Sequence, residues 1–245
     1  MIKFFRKIRF DLMEKNKTNN YLKYAIGEII LVVIGILIAL QINNWNENRK
    51  ERYVELRLLE EIKANLETTL SNFRIDTMYN SRTVTFYRSI NQYIEKTLPY
   101  NNELDSAFAA IELFSSPYTI NTAYKTLLGK GVDLIQNKTL KEKISNFFEV
   151  EAMSLLVDVD KAEWSLSDNV VYPFYSKHIR RLDTTSLNIA RPVDFEALKH
   201  NNEFINILAS LIRERRKNLR IYRTSMLSIQ SLIQAIDDEV KARGL

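Results

Sequence analysis

The longest apolar stretch of the chain covers residues 24–42 and contains one charged residue, Glu28. About 20 mostly apolar residues, each rising roughly 1.5 Å along a helix, are needed to cross a hydrocarbon layer about 30 Å thick. The stretch and its immediate flanks meet this requirement. We therefore predict a transmembrane helix at 24–42, preceded by a flank at 1–23 and followed by a helical domain at 43–245.

Beyond the span, apolar residues recur at the intervals of an α-helix. No Gly or Pro interrupts residues 36–98, and Pro99 is the first proline of the chain. Helices tend to end before a proline, because the residue preceding it is disfavoured in the helical conformation. We therefore expect the membrane helix to continue into a long first helix of the domain. Its inward residues are expected at Leu56, Leu59, Ile62, Leu66, Leu70, Phe73, Val84, Tyr87, Ile90, Ile94 and Leu98.

The clearest periodicity lies near the C-terminus, where apolar positions alternate in steps of three and four, as in the seam of a coiled coil. Arg215 is the one seam position that is not apolar, and a charge facing a core needs a carboxylate or the end of the bundle. So long a helix needs long partners, which residues 50–97 and 138–172 provide. The predicted fold class is all-α, with one N-terminal transmembrane helix followed by an elongated antiparallel helical bundle. The seam consists of Ile205, Leu208, Ile212, Arg215, Leu219, Tyr222, Met226, Ile229, Ile233, Ile236 and Val240.

A third long helix is expected to begin after Asn137, which can cap it, and to close near Pro173. The polar stretch at 180–192 is predicted to be a long loop. The inward residues of the helix are expected at Leu140, Ile144, Phe147, Leu155, Val159, Ala162, Leu166 and Val170. Its carboxylates form an acidic side, for which we favour a solvated face over paired catalytic groups. They are Asp158, Asp160, Glu163 and Asp168.

The net charge of +5 is concentrated beside the span. Residues 1–23 hold seven Lys or Arg and two Asp or Glu, which leaves 28 of each sign in the remaining chain. By the positive-inside rule, this bias places the N-terminus in the cytoplasm and the domain outside it. The flank also puts Ile2, Phe5, Ile8 and Leu12 on one helical face among cations, which predicts a helix lying on membrane lipid. A neutral domain outside the cytoplasm argues against nucleic acid as a partner.

The composition excludes several kinds of chemistry. The chain has no Cys, which rules out disulfides, thiolate metal sites and a Cys nucleophile. Its two histidines, His178 and His200, stand in no cluster with metal-ligand spacing. No metalloprotease helix, phosphate-binding loop, dinucleotide fingerprint or serine elbow occurs. We therefore expect neither an enzyme nor a bound cofactor or metal.

Residues in and beside the span carry three local signals. Gly35 and Ala39 form a small-xxx-small pair that would let two membrane helices approach closely, although small residues are common in any span. Glu28 shares their face, but near the cytoplasmic end of the span it is expected to reach the interface or Lys23. Trp45 follows the span and is expected to anchor it at the headgroup level.

Four arginines share one face of the last helix: Arg213, Arg216, Arg220 and Arg223. We expect them to pair with glutamates of neighbouring helices or to face solvent. The alternative is an anion-binding patch or a docking surface for an acidic partner.

The segment YAIGEIILVVIGILIALQINNWNE at residues 24–47, preceded by MIKFFRKIR at residues 1–9, resembles the anchor of a family of uncharacterised single-pass membrane proteins of Bacteroidota. Weaker echoes occur at 121–127, 133–140 and 194–206. The resemblance implies a bacterial inner-membrane protein with a periplasmic domain. It brings no activity, substrate or catalytic residue.

Three functions remain open at this point. The first is a membrane-anchored scaffold whose helical domain meets other proteins or copies of itself. The second is a receptor-like module that binds a small ligand between its helices and acts through a partner subunit. The third is a hydrolase without a recognisable motif. A sizeable internal pocket with convergent polar groups would favour the second or third, whereas a dry seam with an exposed apolar strip would favour the first.

Overall fold

The computed structural model describes residues 18–183 and 188–243, except for the side chains of 18–21 and 24. The fold is all-α, as predicted, and contains one small two-stranded sheet. The chain forms two compact units, Met1–Glu55 and Leu56–Leu245. Most of the amphipathic flank predicted from the sequence lies outside the described residues.

The first helix, α1 (Thr18–Glu95), contributes to both units. It ends four residues before Pro99, in agreement with the predicted end. Thr97 then takes a φ of 51°, a left-handed conformation that stops the helix. In its N-terminal part, an 18-residue window has a mean hydropathy of 2.6 and none of its residues buried. By length and composition, this part of α1 can cross a membrane.

The described part of the second unit adds three short α-helices, three 3₁₀ turns (Asn102–Leu104, Ala110–Glu112 and Val132–Leu134), a hairpin and two long helical stretches. The short helices are α2 (Asp105–Ala109), α3 (Thr122–Lys130) and α8 (Phe195–Lys199), and α9 (Asn202–Ala242) is the last. Residues 138–178 are helical throughout but alternate between α- and π-helical segments, so we name them the π-interrupted helix. Its α-helical parts are α4 (Lys138–Asn146), α5 (Ala152–Leu155), α6 (Ala162–Leu166) and α7 (Tyr172–His178), and its π-helical parts are Phe147–Glu151, Leu156–Lys161 and Ser167–Val171.

The stretch at 180–192, predicted to be a loop, contains strand residues at both ends, and these pair as a β-hairpin. Strand β1 (Ile179–Arg181) pairs antiparallel with β2 (Ala190–Pro192), with Arg180 opposite Arg191. Ile179 and Ala190 are buried, at 5% and 0% exposure. Burial of these side chains holds the strand ends together, which the polar composition of the stretch did not indicate.

The two longest helices of the unit run antiparallel. Lys63 of α1 contacts Asp237 near the end of α9, whereas Asn80, farther along α1, contacts Arg215, which comes earlier in α9. Asn137, at the start of the π-interrupted helix, contacts Glu239 near the end of α9, whereas Glu163, farther along that helix, contacts Arg215. Both partners of α9 therefore run opposite to it.

Two apolar clusters fill the unit, and polar side chains are buried between them. One cluster contains Leu59, Phe73 and Ile229, and the other contains Tyr87, Phe108 and Phe204. Each of the three long helices places buried polar residues between its contributions to the two clusters. We name these residues the polar layer: Asn80 and Thr83 of α1, Glu163 and Ser167 of the π-interrupted helix, and Arg215 and Asn218 of α9.

The π-interrupted helix corrects the predicted inward face. From Leu155 to Tyr175 every fourth residue is buried, and Phe174 is buried as well; the repeat consists of Leu155, Val159, Glu163, Ser167, Val171 and Tyr175. A π turn closes an i→i+5 hydrogen bond and so takes one residue more than an α turn. The predicted spacing of three and four assumed α turns only, and it placed Ala162, Leu166 and Val170 inward. The structure instead buries the residue after each of these, so the prediction that Glu163 lies on a solvated face was wrong.

The predicted seam of α9 is one edge of its buried face. Arg215, Tyr222 and Ile229 are buried, but Ile205 and Ile233 are only half-buried. The face is wider than a two-position seam because α9 packs against two long helices. It also includes Phe204, Ile207, Leu211, Asn218, Ser225 and Leu232.

Candidate functional site

Arg215 stands at the centre of the polar layer, with only 3% of its side chain exposed. Its Nη1 donates to both carboxylate oxygens of Glu163, at 2.5 and 2.7 Å, and to Oδ1 of Asn80 at 3.1 Å. Its Nη2 donates to the carbonyl of Leu113 at 2.7 Å. One guanidinium therefore joins α9 to α1, to the π-interrupted helix and to the segment that follows α2.

Glu163 has a second donor, the side-chain amide of Asn218. Burial raises the pKa of Glu163, and the charge and hydrogen bonds of Arg215 act in the opposite direction. A buried charge without its partner is strongly destabilising. Because a slip of one turn would separate Glu163 from Arg215, the pair favours one register of the three helices.

The interior beside this pair is nearly filled. A cavity of about 20 Å³ is lined by Glu163, Ser167 and Arg215, among others. That volume is about the size of one water molecule and too small for an organic ligand. Nε of Arg215 is buried and has no hydrogen-bond partner within the described residues, so one water could satisfy it.

Three of the predicted arginines line an open groove on the outside of the domain. Its volume is about 690 Å³, and it lies between α9 and the C-terminal part of α1. Arg223 is exposed in α9 but does not line it. We name this feature the basic groove: Asn91, Ala209, Ile212, Arg213, Glu214, Arg216, Lys217 and Arg220.

The basic groove has four cations and one carboxylate. Glu214 is contacted by Lys217 at 3.4 Å and by Arg213 at 3.6 Å. Lys217 also donates to the carbonyl of Asp158 at 2.9 Å. Arg216 and Arg220 form no ion pair with the residues that the structure describes. Sequence reasoning placed the arginines on one face, with Lys217 alongside, but missed the groove itself, which depends on how α1 packs.

The π-interrupted helix exposes large apolar side chains. We name Met153, Leu156, Val157 and Trp164 the apolar strip; they are 54%, 43%, 45% and 48% exposed. The Trp164 ring packs edge-on against Phe114, with 4.7 Å between centroids. The strip was not predicted, because its position follows from the register that the π turns set. The sequence signal that could have revealed it is the apolar residue at multiples of four positions (Leu155, Val159, Val171 and Tyr175), which sets the inward side and so the exposed sides of this helix.

The residues singled out in and beside the predicted transmembrane segment all lie on α1. A Cβ added at Gly35 would meet no atom of the described chain within 4 Å, and Ala39 is exposed. Glu28 is half-buried. Arg49 lies over the ring of Trp45, 5.7 Å from its centroid, and the Trp45 side chain is 63% exposed. The unit that contains them leaves the Gly35 and Ala39 face uncovered.

The two histidines lie apart from the polar layer. His178 stacks on Phe174, with 4.3 Å between ring centroids, and His200 follows the end of α8. Across residues 18–183 and 188–243, no three His, Asp or Glu side chains come together in a group that could hold a metal ion.

Comparison of the chain with curated proteins and with solved structures finds no match. The model of a family of unknown function, DUF6090, matches residues 28–171. This range includes most of the apolar segment, most of the first two long helices and the Glu163 half of the central ion pair. It covers more than half of the 245 residues. The chain therefore belongs to the DUF6090 family of unknown function.

Proposed function

We propose that the protein is a membrane-anchored scaffold of a bacterium of the Bacteroidota, whose helical domain binds other proteins in the periplasm. Its α1 would cross the inner membrane once, with the N-terminus in the cytoplasm. The apolar segment of α1 and the excess of cations before it support this topology. The anchor motif at 24–47, which resembles single-pass proteins of that phylum, supports the origin.

The apolar strip is the observation that carries the proposal. Met153, Leu156, Val157 and Trp164 are each 43% or more exposed. Scattered apolar residues on a surface need no explanation, but these share two adjoining sides of one helix. Exposed apolar side chains grouped on one helix in this way support a protein interaction site.

The receptor-like and hydrolase alternatives receive less support. Both need a cavity with room for a ligand between the helices. The cavity beside the polar layer holds about 20 Å³, and the polar groups that converge there already contact one another. We therefore do not assign the polar layer a substrate, and we infer that it aligns the helices.

Photo-cross-linking in the native membrane tests the scaffold function. A photoreactive amino acid replaces Met153 or Val157 of the full-length protein, and the matched control carries it at Ser231, an exposed position of α9. We expect discrete protein adducts from Met153 and Val157 and none from Ser231. Equal labelling from all three positions, or no adduct from any of them, would contradict an interaction surface on the strip.

The membrane topology has a separate test, for which the absence of Cys is convenient. Single-cysteine variants Lys15→Cys and Ser231→Cys are treated with a membrane-impermeant maleimide in cells whose outer membrane is permeabilised. We expect Ser231→Cys to react while the inner membrane is intact and Lys15→Cys to react only after lysis. The reverse pattern would place the domain in the cytoplasm.

A further inference from the structure

The apolar strip is also acidic along one side, and this follows from the four-residue repeat. Because Leu155, Val159, Glu163, Ser167, Val171 and Tyr175 all face inward, residues one position later also share a side of the helix. This second column contains Leu156, Asp160, Trp164, Asp168 and Tyr172. Apolar and acidic side chains therefore alternate along it, turn by turn. We name it the acidic column.

The carboxylates of the acidic column form no ion pair with the residues that the structure describes. Asp168 is exposed and forms no ion pair with the described residues. Oδ1 of Asp160 is buried and has no hydrogen-bond partner among the same residues. Because that oxygen is shielded from solvent, the outward-facing carboxylate of the column is that of Asp168.

The basic groove presents the complementary pattern. Arg213 and Arg220 are two turns of α9 apart, about 11 Å at 1.5 Å per residue, and Arg216 lies between them. Asp160 and Asp168 are also two turns apart in the repeat of their own helix. The groove adds Ala209 and Ile212 beside its cations, as the acidic column places Trp164 between its carboxylates.

We propose that the basic groove of one copy of the protein binds the acidic column of a second copy. The proposal rests on the scaffold function and names its partner. Charge complementarity favours a second copy because Arg216 and Arg220 of the groove and Asp168 of the column form no ion pair with the described residues. The apolar side chains of the column would lie against Ala209 and Ile212, where water is displaced. An uncovered Gly35 and Ala39 face in the membrane segment is compatible with such self-association.

The proposed contact is heterologous, because it joins the basic groove of one copy to the acidic column of another. One contact leaves a groove free on one copy and an acidic column free on the other. A twofold axis that engages both at once would close a dimer, whereas any other arrangement would extend to a ring or a chain. Either outcome suits a scaffold in a membrane.

A charge-swap experiment tests the pairing. Two full-length versions with different tags are co-expressed, and co-purification is measured after capture of one tag. We expect the groove variant Arg213→Glu with Arg220→Glu, present in both copies, to reduce co-purification about tenfold or more, since like charges then face each other. The column variant Asp168→Lys in both copies should also reduce it. A groove variant paired with a column variant should restore it.

Arg223→Glu is the matched control, because Arg223 is exposed on the same helix but lies outside the groove. Leu156→Ser provides a second column variant that leaves the charges unchanged, and thermal unfolding confirms that each variant is folded. Undiminished co-purification of the groove variant with itself would overturn the proposal, as would an equal loss for Arg223→Glu or no restoration in the mixed pair. If copies do not co-purify while the strip still cross-links to a different protein, the scaffold function stands and the second-copy assignment fails.

Discussion

The π-interrupted helix and α9 both cross the polar layer, but they keep their inward faces by different means. In α9, the buried face returns nine times over the 32 positions from Phe204 to Ile236. The mean spacing is therefore about 3.6 residues, the turn of an α-helix. In the π-interrupted helix, 20 residues from Leu155 to Tyr175 make five steps of four. A regular α-helix with this spacing would turn its inward column steadily away from the core.

The difference shows what the three π segments accomplish. Each takes one extra residue into a turn, and together they keep a four-residue pattern on one side. Glu163 lies between the second and third segments, so its contact with Arg215 depends on them. The two helices that Arg215 and Glu163 join therefore differ in one respect. The inward face of α9 follows the ordinary α turn, whereas that of the π-interrupted helix depends on the extra residue in each π segment.

Single-residue deletions should expose this difference most strongly. Deletion of Gln230, exposed in α9, would rotate all later residues by about 100° and turn Leu232 and Ile236 away from the core. We expect a loss of more than about 5 kcal/mol, which is comparable with the whole stability of a domain. Deletion of Val157, inside the second π segment, would convert a π turn to an α turn and keep both flanks in register. We expect a loss of about 2 kcal/mol or less.

Circular dichroism during thermal unfolding of the purified full-length variants measures both effects. Similar losses for the two deletions would show that the π segments are not local insertions. Deletion of Ser231 serves as a second test in α9, because it too is exposed.

The central ion pair should show the next largest effects. Glu163→Leu leaves the Arg215 charge buried without a carboxylate, and we expect a loss of about 3–5 kcal/mol. Glu163→Leu combined with Arg215→Met removes both charges and should recover most of that stability. Denaturant unfolding of the single and double variants gives the coupling. A double variant as unstable as the sum of the singles would mean that the two side chains do not act as a pair.

The pH dependence separates the two partners. In Arg215→Met, Glu163 stays buried without the cation, so its pKa rises further above the ordinary 4.5. A carboxyl with a raised folded pKa favours folding below its unfolded pKa, and this contribution is lost as the pH rises through the folded pKa. Relative to wild type, Arg215→Met should therefore be least destabilised near pH 4 and increasingly so towards neutral pH. Glu163→Leu should lack this trend.

The sequence indicates α9 more fully than the π-interrupted helix for a physical reason. The seam residues Leu208, Tyr222 and Ile229 obey the α spacing, so the helix and its direction of packing follow from the pattern alone. Arg215 stood out because it interrupts that pattern. Its partner did not, since Glu163 falls on the solvated side if α turns are assumed.

The candidate surfaces were accessible to sequence reasoning only in part. The arginine face follows from spacing, but the basic groove needs Asn91 of α1, which is distant in sequence. The apolar strip depends on π turns, which have no composition signature. The available signal was the repeat of Leu155, Val159, Val171 and Tyr175 at multiples of four, together with an arginine that required a carboxylate.

Capping residues give a smaller comparison of the same two helices. Asn201 accepts a hydrogen bond from the Phe204 amide at the start of α9, and Asn137 accepts one from Leu140 at the start of the π-interrupted helix. Asn201→Ala should cost about 1 kcal/mol. Asn137→Ala should cost more, because Asn137 also donates to Glu239 at 2.6 Å. Equal losses in denaturant unfolding would show that the second hydrogen bond adds nothing.

The smallest effect on stability is expected for the Lys63–Asp237 ion pair, which joins α1 to α9. Lys63 lies 2.5 Å from Asp237, and both side chains are nearly one-third exposed, so the pair should add little compared with Arg215 and Glu163. The hydrogen bond to Asp237 raises the pKa of Lys63 above the ordinary 10.5. A lysine with a raised folded pKa adds stability that is present below its unfolded pKa and lost as the pH rises through the folded value. Lys63→Gln should therefore lower the unfolding temperature slightly at pH 8, and its difference from wild type should vanish once the pH exceeds the folded pKa of Lys63. A difference that persists at higher pH would indicate that the Lys63 stem stabilises the helices by packing and not through its charge.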